Sequence, residues 1–114
     1  MKPDLEYLLY AVWWASRRDD VAKRTLWELV VTYRKRNIMA QLIRGDVRWG
    51  DVLDAHQNVA LKVYQKIELL KATRAYPAFE SRIVAEEARK WRRLYDHFFP
   101  EPVEHVLEQA GGLQ

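Results

Sequence analysis

Apolar positions recur at helical spacing along almost the whole chain. Leu5, Leu8, Leu9, Val12 and Trp13 share one face of a first helix, which Pro3, Asp4 and Glu6 can open. Proline suits a first helical turn, and acidic groups favour the positive helix end. Tyr7, Tyr10, Ala11 and Trp14 make a second apolar face on the same segment. A helix that is apolar nearly all round is normally covered on both sides. In so short a chain, one side is expected to meet another molecule. Trp13 and Trp14 point about 100° apart, so at most one of them belongs at the centre of the core. Arg17 and Arg18 close this helix at its negative end, and Asp19 and Asp20 offer the next N-cap.

A second helix is expected from about Val21 to Arg44, with Gly45 as its stop. Ala22, Leu26, Leu29, Val30 and Tyr33 share one face, while Trp27, Val31, Ile38 and Leu42 lie on another, more than about 90° away. Either the helix breaks near Asn37 or it runs on and uses both faces, and continuity is the expectation. Between Gly45 and Gly50 the chain reads as a compact turn whose Trp49 plugs the core. Asp51 is a good N-cap, with Asp54 three residues on, for a third helix from Val52 to Thr73. Its stripe is Leu53, Ala60, Val63, Tyr64, Ile67 and Leu70.

After a turn at Arg74–Pro77, a fourth helix is expected over Ala78–Phe98. Ile83, Val84, Ala88, Trp91, Leu94, Tyr95 and Phe98 form its broad apolar face. Pro100 and Pro102 stop it, and a short helix from Val103 to Gln109 ends at Gly111 and Gly112. No segment alternates convincingly with period two. The pattern predicts an all-α fold: an antiparallel bundle of four main helices plus a short C-terminal helix, in one domain over residues 1–114.

Composition narrows the function classes. A chain of 114 residues holds one core, and 49% apolar residues set it apart from a disordered chain. The absence of cysteine excludes disulfides and thiolate chemistry. The longest apolar stretch, Leu8 to Ala15, is too short to span a bilayer, and no signal peptide is visible. A cytoplasmic location, or one within a nucleoprotein particle, is expected, without a membrane. Net charge is +3, which permits a polyanionic partner without demanding one.

The cations are unevenly placed. Between Arg17 and Arg48 there are nine Lys or Arg against four acids. On the fourth helix Arg82, Arg89 and Arg93 fall within about 40° of one another, opposite the apolar face, with Lys90 and Arg92 flanking them. Arginine predominates, and its planar fork suits phosphate. The candidate nucleic-acid residues are Arg17, Arg18, Lys23, Arg34, Lys35, Arg36, Arg82, Arg89 and Arg93. The competing reading is a solvated face, partly neutralised by Glu86 within one turn of Arg82, Arg89 and Lys90. No helix-turn-helix, zinc-finger or RNA-recognition signature is present, so backbone contacts with little sequence preference are expected, with DNA slightly ahead of RNA. Tyr7, Tyr10, Trp14, Trp27 and Val31 are the candidate contacts between subunits.

Catalytic chemistry is thinly represented. His56 lies in the third helix's apolar stripe and Glu87 in the centre of the fourth helix's apolar face, with Glu80 above it in the same row. A Glu87–His56 pair would be the one acid–base arrangement. The plainer reading makes His56 a hydrogen-bonded core histidine and places Glu87 at an edge or beside an arginine. His97 and His105 complete no metal set, there is no glycine-rich phosphate loop, and no cofactor is implied.

The expectation is therefore a non-enzymatic, self-associating helical subunit that binds nucleic-acid backbone, of the coat, packaging or effector-complex small-subunit type. A protein–protein adaptor or inhibitor without nucleic acid is the alternative. A small helical enzyme using His56 and Glu87 is the third reading.

Overall fold

The first two helices are joined by backbone geometry that the sequence encodes only in part. The computed structural model describes residues 5–98. In it α1 (Leu5–Ala15) ends where the Asp19 amide donates to the Trp14 carbonyl at 3.2 Å and the Arg18 amide to the Ala15 carbonyl at 3.0 Å. This pair of bonds satisfies two orphan carbonyls and places Arg18 in the left-handed region at φ 66°. Asp19 then N-caps α2 (Asp20–Val31), its carboxylate accepting the Ala22 amide at 2.9 Å.

The continuous second helix is not what forms. The chain breaks at residues 32–34, ahead of Asn37, and restarts as α3 (Lys35–Arg44). At the break the Thr32 hydroxyl donates to the Glu28 carbonyl, and the Arg34 amide reaches back to the Leu29 carbonyl at 2.9 Å. The reason lies in the two apolar faces. Leu26, Leu29 and Val30 of α2 and Ile38 and Leu42 of α3 are all buried in one cluster, which a straight helix could not achieve with faces so far apart.

α3 ends in the same manner as α1. The Val47 amide donates to the Leu42 carbonyl and the Asp46 amide to the Ile43 carbonyl, both at 3.0 Å, with Asp46 left-handed at φ 71°. Gly45 itself has φ −85°, so conformational freedom is not what this position needs. A Cβ there would lie 2.8 Å from the Ala88 Cβ, so glycine is required by the approach of the next layer.

Trp49 does not plug the core but stands 77% exposed. Val47 and Val52 fill the interior on either side of the turn, and the turn is clamped from outside by Tyr95. The Arg48 amide donates to the Tyr95 hydroxyl at 3.0 Å, and that hydroxyl donates to Asp51 Oδ2 at 2.7 Å. The Arg48 guanidinium sits 4.1 Å above the Tyr95 ring. Asp51 therefore gives its carboxylate to Tyr95 and makes no side-chain cap on α4 (Val52–Lys66).

α4 stops earlier than expected. A 3₁₀ turn over Ile67–Leu69 follows it, then extended backbone, then a second 3₁₀ turn over Thr73–Ala75 that leads into α5 (Tyr76–Phe98). Pro77 lies in the first turn of α5, where its missing N–H costs nothing. The inward side of α4 is Val52, Ala55, His56, Val59, Ala60 and Val63. Leu53, placed in the stripe from sequence, is exposed, as is Phe98 on α5.

α4 is the central element, packed against α2, α3 and α5, while α3 also rests on α5. α1 covers α2 and the 3₁₀ turns. The fold is all-helical, with five helices where the periodicity predicts four main ones, because the second is two; no strand occurs among the described residues. The expected proline stop, the short helix over residues 103–109 and its glycine stop lie outside the described residues.

Candidate nucleic-acid interface

α5 presents two chemically opposite sides. Ile83, Val84 and Ala88 face the core. Arg82, Arg89 and Arg93 face outward and are exposed, and within the described residues none of the three has an ion pair or a hydrogen bond. Glu86 lies within one turn of this ridge but pairs with none of it. Across a shallow groove of about 350 Å³, lined by Gln41, Arg44, Ser81, Arg89 and Arg92, the last turn of α3 contributes Arg44. Arg92 Nη1 donates to the Gly45 carbonyl at 3.1 Å, which ties α5 to the negative end of α3. Lys35 and Arg36, in the first turn of α3, are also exposed and unpaired among the described residues.

The other four candidate cations have partners among the described residues. Arg34 grips Glu80: Nη2 lies 2.7 Å from Oε1, and Nε donates to both carboxylate oxygens at 3.2 Å. The Tyr76 hydroxyl donates to Glu80 Oε2 at 2.9 Å. The hydrogen bond to Glu80 raises the pKa of the Arg34 guanidinium, and burial, reinforced by the Glu80 charge, pushes the Tyr76 phenol up. Arg17 lies 3.4 Å over the Trp13 ring and donates to the Trp13 carbonyl at 3.0 Å. Arg18 and Lys23 both reach Glu68, at 3.3 and 3.9 Å, and Lys23 also sits 4.6 Å above the Tyr64 ring. So Lys35, Arg36, Arg82, Arg89 and Arg93 remain, joined by Arg44, whose side chain has no ion pair or hydrogen bond among the described residues.

The aromatic candidates divide as well. Tyr7, Tyr10 and Trp14 are exposed and, with Val21 and Ala22, line a groove between α1 and α2. Tyr10 is 64% and Trp14 42% accessible, and their rings meet edge-on at 6.3 Å. Trp27 and Val31 instead pack half-buried against the core, Trp27 edge-on to Tyr64 at 6.2 Å. Neither tandem tryptophan is central, since Ala11, Val12 and Ala15 take the inward positions.

The Glu87–His56 pair is not formed. His56 is a core histidine whose Nε2 donates to the Val30 carbonyl at 3.0 Å. Glu87 is fully buried at the centre of its helix face, not at an edge, and meets no arginine. Its Oε2 accepts from Asn58 Nδ2 and Trp91 Nε1, both at 2.8 Å, and its Oε1 faces Lys62 Nζ at 3.4 Å. Among the described residues no three acidic or histidine side chains gather to hold a metal ion, and no helix is long and apolar enough to cross a membrane.

The ridge on α5 is readable from spacing. The groove facing Arg44 is not, because it depends on how α3 lies on α5. No protein-family model, no curated protein and no solved structure matches this chain.

Proposed function

We propose that the chain is a non-enzymatic, self-associating helical subunit that binds nucleic-acid backbone with little sequence specificity, of the coat, packaging or effector-complex small-subunit type. The observation that carries this reading is the ridge of Arg82, Arg89 and Arg93, unpaired among the described residues, whose Arg89 shares a groove with Arg44. Unpaired guanidinium groups on one rigid helix are positioned for phosphate oxygens and carry no base-reading geometry. The exposed Tyr7–Tyr10–Trp14 face of α1 supports self-association.

Labelled duplex DNA, single-stranded DNA and RNA, titrated at low and at physiological salt, test the proposal. Binding is expected to be salt-steep and sequence-tolerant. Replacing Arg89 and Arg93 together with Ala should weaken it similarly for all sequences, and should lower the salt slope by about one unit for each phosphate left without its arginine. Unchanged affinity in that variant would remove α5 from the interface. A second reading, a protein–protein adaptor, is favoured by the same α1 aromatic face. Absence of binding by the wild-type chain at low salt would leave it standing alone.

A further inference from the structure

We infer that the outer face of α3 carries a second nucleic-acid subsite, one that takes a single strand by stacking an unpaired base on Trp49. It rests on the nucleic-acid reading above and deepens it. A groove lined by Thr32, Lys35, Arg36, Met39, Ile43 and Trp49 runs along this face. Its apolar surface is Met39, Ile43 and the indole of Trp49. Its charged end is Lys35 and Arg36, which have no ion pair among the described residues, and no carboxylate lines it.

Trp49 is the anomaly that points to a ligand. It is the most exposed large apolar side chain described, and its ring has no aromatic or cationic partner among the described residues. Yet the turn that bears it is held through Arg48 and Asp51 to the Tyr95 hydroxyl. An exposed indole on a fixed turn, sharing a groove with two cations that have no ion pair among the described residues, offers what a single strand requires: a flat face for a base and charge for its backbone. In a duplex the bases are already stacked and cannot reach the ring. An acidic amphipathic helix would satisfy the charges, but one ring and two side chains do not provide the repeating anchors such a helix needs.

The two basic surfaces are also connected. Arg36 and Arg44 lie on the same helix, about 12 Å apart along its axis and about 80° apart around it. Arg44 borders the groove it shares with Arg89. Arg44 thus links the helix that bears the Trp49 groove to the groove beside the α5 ridge.

Three fluorescent probes decide the matter: an oligothymidylate, a duplex of equal length and an acidic amphipathic peptide. Each is titrated against the wild type, Trp49→Ala, Trp49→Phe and the Arg89→Ala/Arg93→Ala variant, with folding checked by thermal melting. Trp49→Ala should weaken single-strand binding about tenfold, the contribution of one stacked base, and leave duplex binding unchanged. Trp49→Phe should restore most of that affinity, while the double arginine variant should weaken both nucleic acids. If the wild type binds both nucleic acids and Trp49→Ala leaves their affinity ratio unchanged, the subsite is wrong and the backbone reading survives. Loss of peptide binding instead would overturn it in favour of protein docking. If the wild type binds neither nucleic acid, the parent reading fails first.

Discussion

Glu80 and Glu87 lie seven residues apart on the inward side of α5, and both are buried, yet their charges are met in different ways. Glu80 is saturated. It receives a forked contact from Arg34 across the fold and a hydroxyl from Tyr76 one turn earlier. Glu87 receives two neutral donors on one oxygen, while the other has no hydrogen bond and faces Lys62 at 3.4 Å. A buried carboxylate must be compensated, and the planar fork of arginine does this more completely than the point charge of lysine. The difference bears on function. At the Glu80 end a cation is withdrawn from the surface to hold the fold, and Lys23 is likewise drawn in toward Glu68, which Arg18 meets from the surface. Arg82, Arg89 and Arg93 of the outward α5 ridge have no such partner among the described residues.

The contrast breaks most sharply at Arg34. Its side chain is 23% exposed and that of Glu80 only 2%, so removing the guanidinium strands a carboxylate in the interior. Arg34→Ala is expected to cost about 3–5 kcal/mol of stability, read by urea or thermal unfolding. The break between α2 and α3 should loosen with it, because Arg34 lies at that break. A cost below about 1 kcal/mol would show that the pair is merely tolerated and that the helix break is held by Thr32 and the core alone.

Tyr76 gives a smaller effect with a pH signature. Burial, then the neighbouring Glu80 charge, raises its folded-state pKa above its ordinary value of 10.0. A raised pKa means the folded state holds its proton more tightly. The associated stability is fully present below about pH 10 and is lost as the pH rises beyond it. Tyr95, raised by burial and its bond to Asp51, acts in the same sense from a more open position. Tyr76→Phe is expected to cost about 1.5–3 kcal/mol at neutral pH, the net worth of one hydrogen bond to a charged group, and to flatten most of the alkaline decline. An unaltered decline would assign that pH dependence to other groups.

Local signals carry much of this fold. The helical period places most of the five helices, and Asp19 is legible as a cap because a cap needs only its own chain neighbours. The features that escape are set by residues distant in sequence. The break at Thr32 has no glycine or proline to mark it, and its Arg34 anchor lies 46 positions from Glu80. Trp49 reads as core because large aromatics usually are, but its outward stance depends on Tyr95, 47 positions from Arg48. Gly45 reads as a helix stop for its backbone freedom, whereas Ala88 is what forbids a side chain there. The site divides by the same rule. Spacing alone reveals the Arg82–Arg89–Arg93 ridge, while only the packed fold shows that Arg17, Arg18, Lys23 and Arg34 are engaged.

Glu87→Gln should have the smallest effect and sharpens the contrast most. The glutamine carbonyl can still accept from Asn58 and Trp91, so the two good hydrogen bonds survive. The substitution removes the attraction to Lys62 and turns an amide NH2 toward it in place of Oε1, but the Lys62 side chain is 28% exposed and can turn to water. Removing the charge also removes the burden of keeping it buried, which offsets the missing attraction. The net change is expected to stay within about 1 kcal/mol, several-fold below Arg34→Ala. Equal losses of stability in the two variants would mean that Lys62 compensates Glu87 as fully as Arg34 does Glu80, and the contrast between the two ends of α5 would disappear.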